Sequence, residues 1–128
     1  MKKLILILIA LMGLNACAQN NEQKPEAVYV NITAEQAKKI MDSQENYIIL
    51  DTRTQEEYEE SHIPGAILIP YDQILEKAEA VLPDKDQQIL VYCRSGRRSK
   101  LAAEDLVKLG YTNIKEFGGI IDWPYEVE

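Results

Sequence analysis

Gln88-Ile89-Leu90-Val91-Tyr92-Cys93-Arg94-Ser95-Gly96-Arg97-Arg98-Ser99 is the stretch that decides how this chain is built. Gln88 to Tyr92 is an almost unbroken apolar run, the pattern of a strand covered on both faces. From Ser99 to Leu109, apolar residues recur at helical spacing (Leu101, Ala102, Leu106, Leu109), and Gly110 suits the position just past a helix end. Cys93 therefore stands in a short turn between a buried strand and a helix start. Helix N-termini expose unpaired N–H groups and a positive dipole end, and both favour a thiolate over a thiol. Successive N–H groups from Arg94 to Ser99 can close into an anion-holding nest, and Gly96 supplies the positive φ that such a turn needs. Arg94, Arg97 and Arg98 add positive charge. Because alternate side chains of a tight turn point outward, not all three can face a ligand; Arg98 and Arg94 are favoured over Arg97.

Outward from this stretch the chain alternates strands and helices. Val28–Ile32 reads as a strand, and Thr33-Ala34-Glu35-Gln36 is a capping box opening a helix to about Ser43. Tyr47–Leu50 is a second doubly apolar strand, ended by Asp51-Thr52-Arg53. Thr54-Gln55-Glu56-Glu57 is a second capping box. His62-Ile63-Pro64-Gly65 is a turn, Ala66–Ile69 a third strand, and Tyr71–Val81 has helical spacing. Tyr111–Phe117 reads as a fifth strand, Gly118-Gly119 as a turn, and Ile120–Tyr125 as a short helix or irregular tail. Such alternation gives an α/β fold with a parallel sheet and helices on both faces. Ligands of such sheets bind beyond the carboxyl ends of the strands, the edge that carries both Cys93 and Asp51 to Arg53.

The 128 residues divide into three parts. Residues 1–16 pair a basic start (Lys2, Lys3) with an eleven-residue apolar run from Leu4 to Leu14, too short for a stable span of about 20 residues. Leu14-Asn15-Ala16-Cys17 resembles a bacterial lipobox, which implies cleavage before Cys17, diacylglycerol on its thiol and an exported protein at the periplasmic or cell-surface side of a membrane. Residues 17–27 are polar and aperiodic, a flexible tether. Residues 28–128 are one small domain. The formal charge of −7 becomes −9 once the two lysines of residues 1–16 are removed, which argues against nucleic-acid binding. Against that acidic background Arg94, Arg97, Arg98 and Lys100 form a local cationic cluster suited to an anion. With Cys17 lipidated, Cys93 has no intrachain disulfide partner. One histidine, two cysteines and no grouped carboxylates at ligand spacing give no reason to expect a metal or cofactor.

The residues resemble the rhodanese family of sulfurtransferases, as one domain standing alone. Four stretches carry the resemblance, in the family's order over residues 28–123: Leu50-Asp51-Thr52-Arg53-Thr54-Gln55-Glu56-Glu57-Tyr58, His62-Ile63-Pro64-Gly65-Ala66-Ile67, Tyr92 to Ser99, and Gly118-Gly119 with Trp123. The resemblance implies a five-stranded parallel sheet and a Cys93 persulfide that carries sulfur from a donor such as thiosulfate to a thiophile such as cyanide or a thiol, with a thiol protein as a further partner. Arg94, Ser95, Gly96, Arg97, Arg98 and Ser99 would bind the anion, while Asp51 and Arg53 brace the neighbouring loop. His62 is expected to shape its turn, and Tyr92 and Trp123 to be core residues. Two other readings stand beside this one. A cysteine-dependent phosphatase or arsenate reductase needs Cys-x5-Arg, but that place holds Ser99 and the last arginine is one residue short. A membrane-tethered sulfur carrier or docking module would keep the loop without turnover.

Overall fold

The computed structural model describes residues 28–128. The expected signal peptide (1–16), the tether (17–27) and the Cys17 lipidation site lie outside the described residues. Five strands alternate with four α-helices: β1 (Val30–Asn31), α1 (Ala34–Ser43), β2 (Tyr47–Asp51), α2 (Gln55–Glu60), β3 (Ile67–Leu68), α3 (Ile74–Val81), β4 (Gln88–Cys93), α4 (Arg97–Lys108) and β5 (Ile114–Gly119). Every strand pairing is parallel and the order across the sheet is β1-β5-β4-β2-β3. The strand carrying the cysteine is central, flanked by β5 and β2.

Strand periodicity distributes the core. Ile89 and Val91 of β4 pack on the α3/α4 side with Leu50, Ile74, Ala78, Ala102, Ala103 and Leu106. Leu90 and Tyr92 point the other way, to Ala37, Ile49, Ile63, Ala66, Phe117 and Trp123. Side chains alternate along a strand, so Cys93 is carried on the α4 side. Both capping boxes form. The Gln36 and Glu57 N–H groups donate to Thr33 Oγ1 (3.0 Å) and Thr54 Oγ1 (3.1 Å), while Thr33 N and Thr54 N donate back to Gln36 Oε1 (2.9 Å) and Glu57 Oε1 (3.0 Å).

Element bounds shift where local sequence and tertiary pairing compete. The first strand shrinks to Val30–Asn31 because it is an edge: Val28 and Val30 are 66% and 52% exposed, and only Val30 and Asn31 find ladder partners in β5. The third strand shrinks to Ile67–Leu68, hemmed in by the Pro64-Gly65 turn and Pro70. Tyr71–Gln73 is a 3-10 turn and the regular helix begins at Ile74. The fifth strand begins at Ile114 rather than Tyr111. Tyr111 closes the end of α4 instead, its N–H donating to Leu106 O (3.1 Å) and its hydroxyl to Leu82 O (2.5 Å), after Gly110 at φ +95°. Helix α4 begins at Arg97, two residues before the expected Ser99, because Gly96 at φ +111° turns the chain into the helix at once. The tail folds back: Glu128 N donates to His62 O and His62 N to Glu128 O, both at 2.8 Å. His62 stacks on Tyr58 with ring centroids 3.9 Å apart.

Candidate active site

Cys93 ends β4 and is 1% exposed. The Gly96 N–H donates to its sulfur at 2.9 Å. Burial pushes the thiol pKa up, but the Ser99 hydroxyl and the backbone N–H groups of Ser99, Gly96 and Ser95 outweigh burial and leave the pKa below its ordinary value. The leading groups that favour the thiolate are the hydroxyl and the amides around α4's first turn, with the Arg98 charge nearby. The amides converge because Gly96 reverses the chain, which aims them and the open end of α4 at one atom.

The arginines divide differently from the expectation. Arg98, expected to face the ligand, turns its guanidinium to Glu57 in a two-point pair, Nη1 to Oε1 at 2.8 Å and Nη2 to Oε2 at 3.0 Å. Because Arg98 lies in the first turn of α4 and not in an open loop, its side chain reaches across to α2. It still lies near enough to Cys93 that a thiolate favours its charge. The Arg98 hydrogen bonds, with the Thr54 cap, hold the Glu57 carboxyl down to about 2. Glu57 thus starts α2 and anchors the start of α4. Arg97 lies over the Tyr71 ring, 5.9 Å from its centroid. Arg94 and Ser95 are exposed, and the Arg94 carbonyl accepts from Ile121 N at 3.2 Å.

The Asp51 to Arg53 stretch lies beside the cysteine as a buried brace. Asp51 accepts from Arg53 N (2.9 Å), Arg53 Nε (3.0 Å), Arg53 Nη2 (2.7 Å) and the Tyr92 hydroxyl (2.7 Å). Arg53 Nη2 also donates to Ser61 O at 2.7 Å, and Ile63 N to the Tyr92 hydroxyl oxygen at 3.1 Å. Burial and the Asp51 carboxylate push the Tyr92 phenol above its ordinary range, so it stays a donor. Thr52 completes the clamp, its N–H and Oγ1 both donating to Tyr92 O, at 3.0 and 2.9 Å.

Three contributors escaped the sequence reading. Thr52 looked like a spacer between Asp51 and Arg53, yet it fixes the carbonyl one residue before the cysteine. Tyr92 is core, as expected, but also polar mortar. Glu116 lies in β5, 2% exposed, with Ser99 Oγ at 2.5 Å and Gly118 N at 3.0 Å from its Oε2. A charged residue flanked by Lys115 and Phe117 in a strand gives no sign of which face it takes, so the only signal was its position two residues before Gly-Gly. That pair has a steric explanation at its second member. A Cβ on Gly119 would lie 1.9 Å from Arg94 O and 2.5 Å from Ser95 N, so the cysteine turn rests directly on bare backbone.

The assembled site is a buried, N–H-lined sulfur at the carboxyl edge of a parallel sheet. Chemically it is a nucleophile that needs no separate base once ionised, in a cradle built for negative charge on sulfur.

Comparison with known proteins agrees with this geometry. A family profile described as Rhodanese-like domain matches residues 33–124. The chain is 40% identical over 73 residues to thiosulfate sulfurtransferase PspE of Escherichia coli, covering 57% of this chain and 70% of PspE. It is 38% identical over 98 residues to the putative sulfur carrier protein YrkF of Bacillus subtilis, covering 76% of this chain and about half (52%) of YrkF. Among solved structures it is similar to a rhodanese with anions from E. coli, with a TM-score of 0.60 at 35% identity over 64% of this chain and 96% of that one.

Proposed function

The chain belongs to the rhodanese-like family, and on that premise we propose that it transfers a sulfane sulfur from an anionic donor such as thiosulfate to a thiophilic acceptor through a persulfide on Cys93. In the first half-reaction the Cys93 thiolate attacks the outer sulfur of thiosulfate. The new S–S bond forms as the old one breaks, and its electron pair leaves with sulfite. Three negative charges enter and three leave, so no proton or redox partner is required. In the second half-reaction cyanide or a thiolate attacks the terminal sulfur and the Cys93 thiolate is restored. Both half-reactions keep negative charge on sulfur, where burial would oppose it unless donors are already aimed.

The observation that carries this reading is the Cys93 environment: a buried sulfur with amide and hydroxyl donors that hold its pKa below the ordinary thiol value. A phosphatase reading loses support at the same place. The position that would need an oxyanion-clamping arginine is Ser99, and the Arg98 guanidinium is engaged by Glu57. A carrier without turnover would share the persulfide and differ only in the second half-reaction.

Intact mass of the purified chain before and after thiosulfate is the direct test. A gain of one sulfur atom, removed by cyanide with release of thiocyanate and absent in Cys93→Ser, is expected. An unmodified mass on a chain whose Cys93 still alkylates would refute the proposal, and loading with no release over many cycles would make the protein a carrier.

A further inference from the structure

Cys93 is buried, so any thiol that collects its sulfur must approach through the surface around it. That surface is cationic on an acidic molecule. Arg94, Arg97 and Lys100 are three exposed cations within seven residues of a chain whose formal net charge is −7. Most other cations of the described residues are spent on carboxylates: Lys38 on Asp42, Arg53 on Asp51, Lys85 on Glu79, Arg98 on Glu57 and Lys108 on Asp105. Arg94 and Arg97 form no ion pair among the described residues, and Lys100 Nζ stands 3.7 Å from the buried Glu116 Oε1.

The fold sets these charges around the sulfur. Arg94 follows Cys93 directly, and its carbonyl accepts at 3.2 Å from the N–H of Ile121, a residue 55% exposed. A Cβ on Gly96 would lie 3.4 Å from Lys100 Nζ, so the ammonium lies across the residue whose N–H meets the sulfur. Arg97 opens α4 and rests its guanidinium over the Tyr71 ring. One turn further on the same helix face, Leu101 is exposed as well. A single small anion at the sulfur is met by the N–H groups of the turn. Exposed cations beside exposed aliphatic side chains extend past such a ligand, and arginine around apolar contacts is what protein interfaces concentrate. The acidic chain disfavours nucleic acid on this edge. A bilayer pressed against it would close the route by which a thiol reaches Cys93.

We propose that Arg94, Arg97, Lys100 and Ile121 form a docking surface for an acidic, cysteine-bearing segment of a partner protein, the acceptor of the Cys93 sulfur. Opposite charge draws the segment to the rim, and exposed pairs are weak enough to let it leave after each transfer. The partner's thiolate attacks the terminal persulfide sulfur. One S–S bond forms, the other breaks, its electron pair returns to Cys93, and the partner departs carrying the persulfide, so no co-reactant is needed. The biological use of this surface rests on the sulfur-transfer reading, but its test needs no sulfur donor.

The probes are two matched peptides, one cysteine flanked by glutamates or by lysines, each activated as its 2-pyridyl disulfide. The protein is the purified full chain with Cys17→Ser, so that Cys93 is the one thiol. Its thiolate displaces pyridine-2-thione, which takes a proton from water and is read by absorbance. The ratio of the two rates cancels any common change in Cys93 reactivity. At low salt the acidic peptide should react about tenfold faster than the basic one, with the ratio falling towards one at high salt. The double reversal Arg94→Glu/Arg97→Glu should bring the ratio to one or below. Should that variant not fold, Arg97→Gln alone should lower the ratio by about two- to threefold. Equal rates at low salt, or a ratio that a folded variant leaves unchanged, would overturn the proposal. Phosphatidylglycerol vesicles that bind the Cys17→Ser chain but not its double reversal, and shield Cys93 from both peptides, would also overturn it and make the patch a membrane contact. A chain that shows the acidic preference yet gains no sulfur from thiosulfate would keep the docking surface and lose the sulfur-transfer reading.

Discussion

Replacing Gly119 by alanine tests whether the cysteine turn is held by steric contact with β5. Gly119 has φ −137°, ordinary extended backbone that any residue adopts, so conformational strain plays no part. Space does. The new Cβ would meet Arg94 O at 1.9 Å, Arg94 C at 2.2 Å and Ser95 N at 2.5 Å. Those are backbone atoms, so no side-chain rotation relieves the clash, and moving the oxygen out to 3.0 Å takes about 1.1 Å. A displacement of about 1 Å in a reacting group costs on the order of 10²-fold in rate, and forcing a methyl into packed backbone costs about 1–3 kcal/mol or more. Gly118 is the control. It has φ +90° and nothing within 4 Å of a would-be Cβ, so Gly118→Ala carries only the left-handed penalty of roughly 1–2 kcal/mol. Thiosulfate-to-cyanide turnover, thiol alkylation and urea unfolding on both variants separate the cases. Gly119→Ala should lose on the order of 10²-fold in turnover, with alkylation also changed, whereas Gly118→Ala should lose stability and keep Cys93 reactivity. A folded Gly119→Ala protein with natural alkylation and turnover would refute the claim that bare backbone there supports the turn.

The other expectations follow from the braces around Cys93. The Glu57 carboxyl is held at about 2 against an ordinary 4.5, so its ion pair stabilises the fold fully above pH 4.5 and loses that contribution as pH falls towards 2. The unfolding-midpoint gap between the natural chain and Glu57→Gln should therefore be open at pH 6 and close under acid; a gap that does not depend on pH would discount the pair. Tyr92→Phe strips a donor from Asp51 and an acceptor from Ile63 N in a buried network, and should cost about 1–3 kcal/mol in urea unfolding; a neutral result would mean that the network closes without the hydroxyl. If Cys17 carries lipid, Cys17→Ser should move the protein from the membrane fraction to the soluble one, and unchanged fractionation would discard the anchor.

Much of this architecture is written locally. Doubly apolar Tyr47–Leu50 and Ile89–Tyr92, and the two capping boxes, each announce themselves within a few residues, and the parallel sheet follows from their order. The cysteine between strand and helix is legible for the same reason. What was not legible depends on partners far apart in sequence. Glu57 and Arg98 are separated by 41 positions, so the arginine that sequence reasoning aimed at substrate is bound elsewhere. Ser99 and Glu116 are 17 apart, and nothing local tells a buried glutamate in a strand from a solvated one. The thiolate's donors were only half legible. Gly96 signalled the turn, but cationic side chains are conspicuous in a sequence, whereas the convergence of main-chain amides is a property of the turn's path. Element ends moved where neighbours overrode propensity, as at the exposed β1 edge and at Tyr111, drawn into the close of α4.

Tyr92 is fastened at three points: its carbonyl by Thr52, its hydroxyl by Asp51, and its ring against Phe117, 5.5 Å away centroid to centroid. The residue just upstream of the nucleophile therefore has no play. The downstream limb is gripped too: Arg94 O accepts from Ile121 N at 3.2 Å, the Gly96 N–H donates to the sulfur at 2.9 Å, and Arg94 and Ser95 rest on Gly119. The workpiece is vised on both sides, so lesions on either limb should loosen its aim.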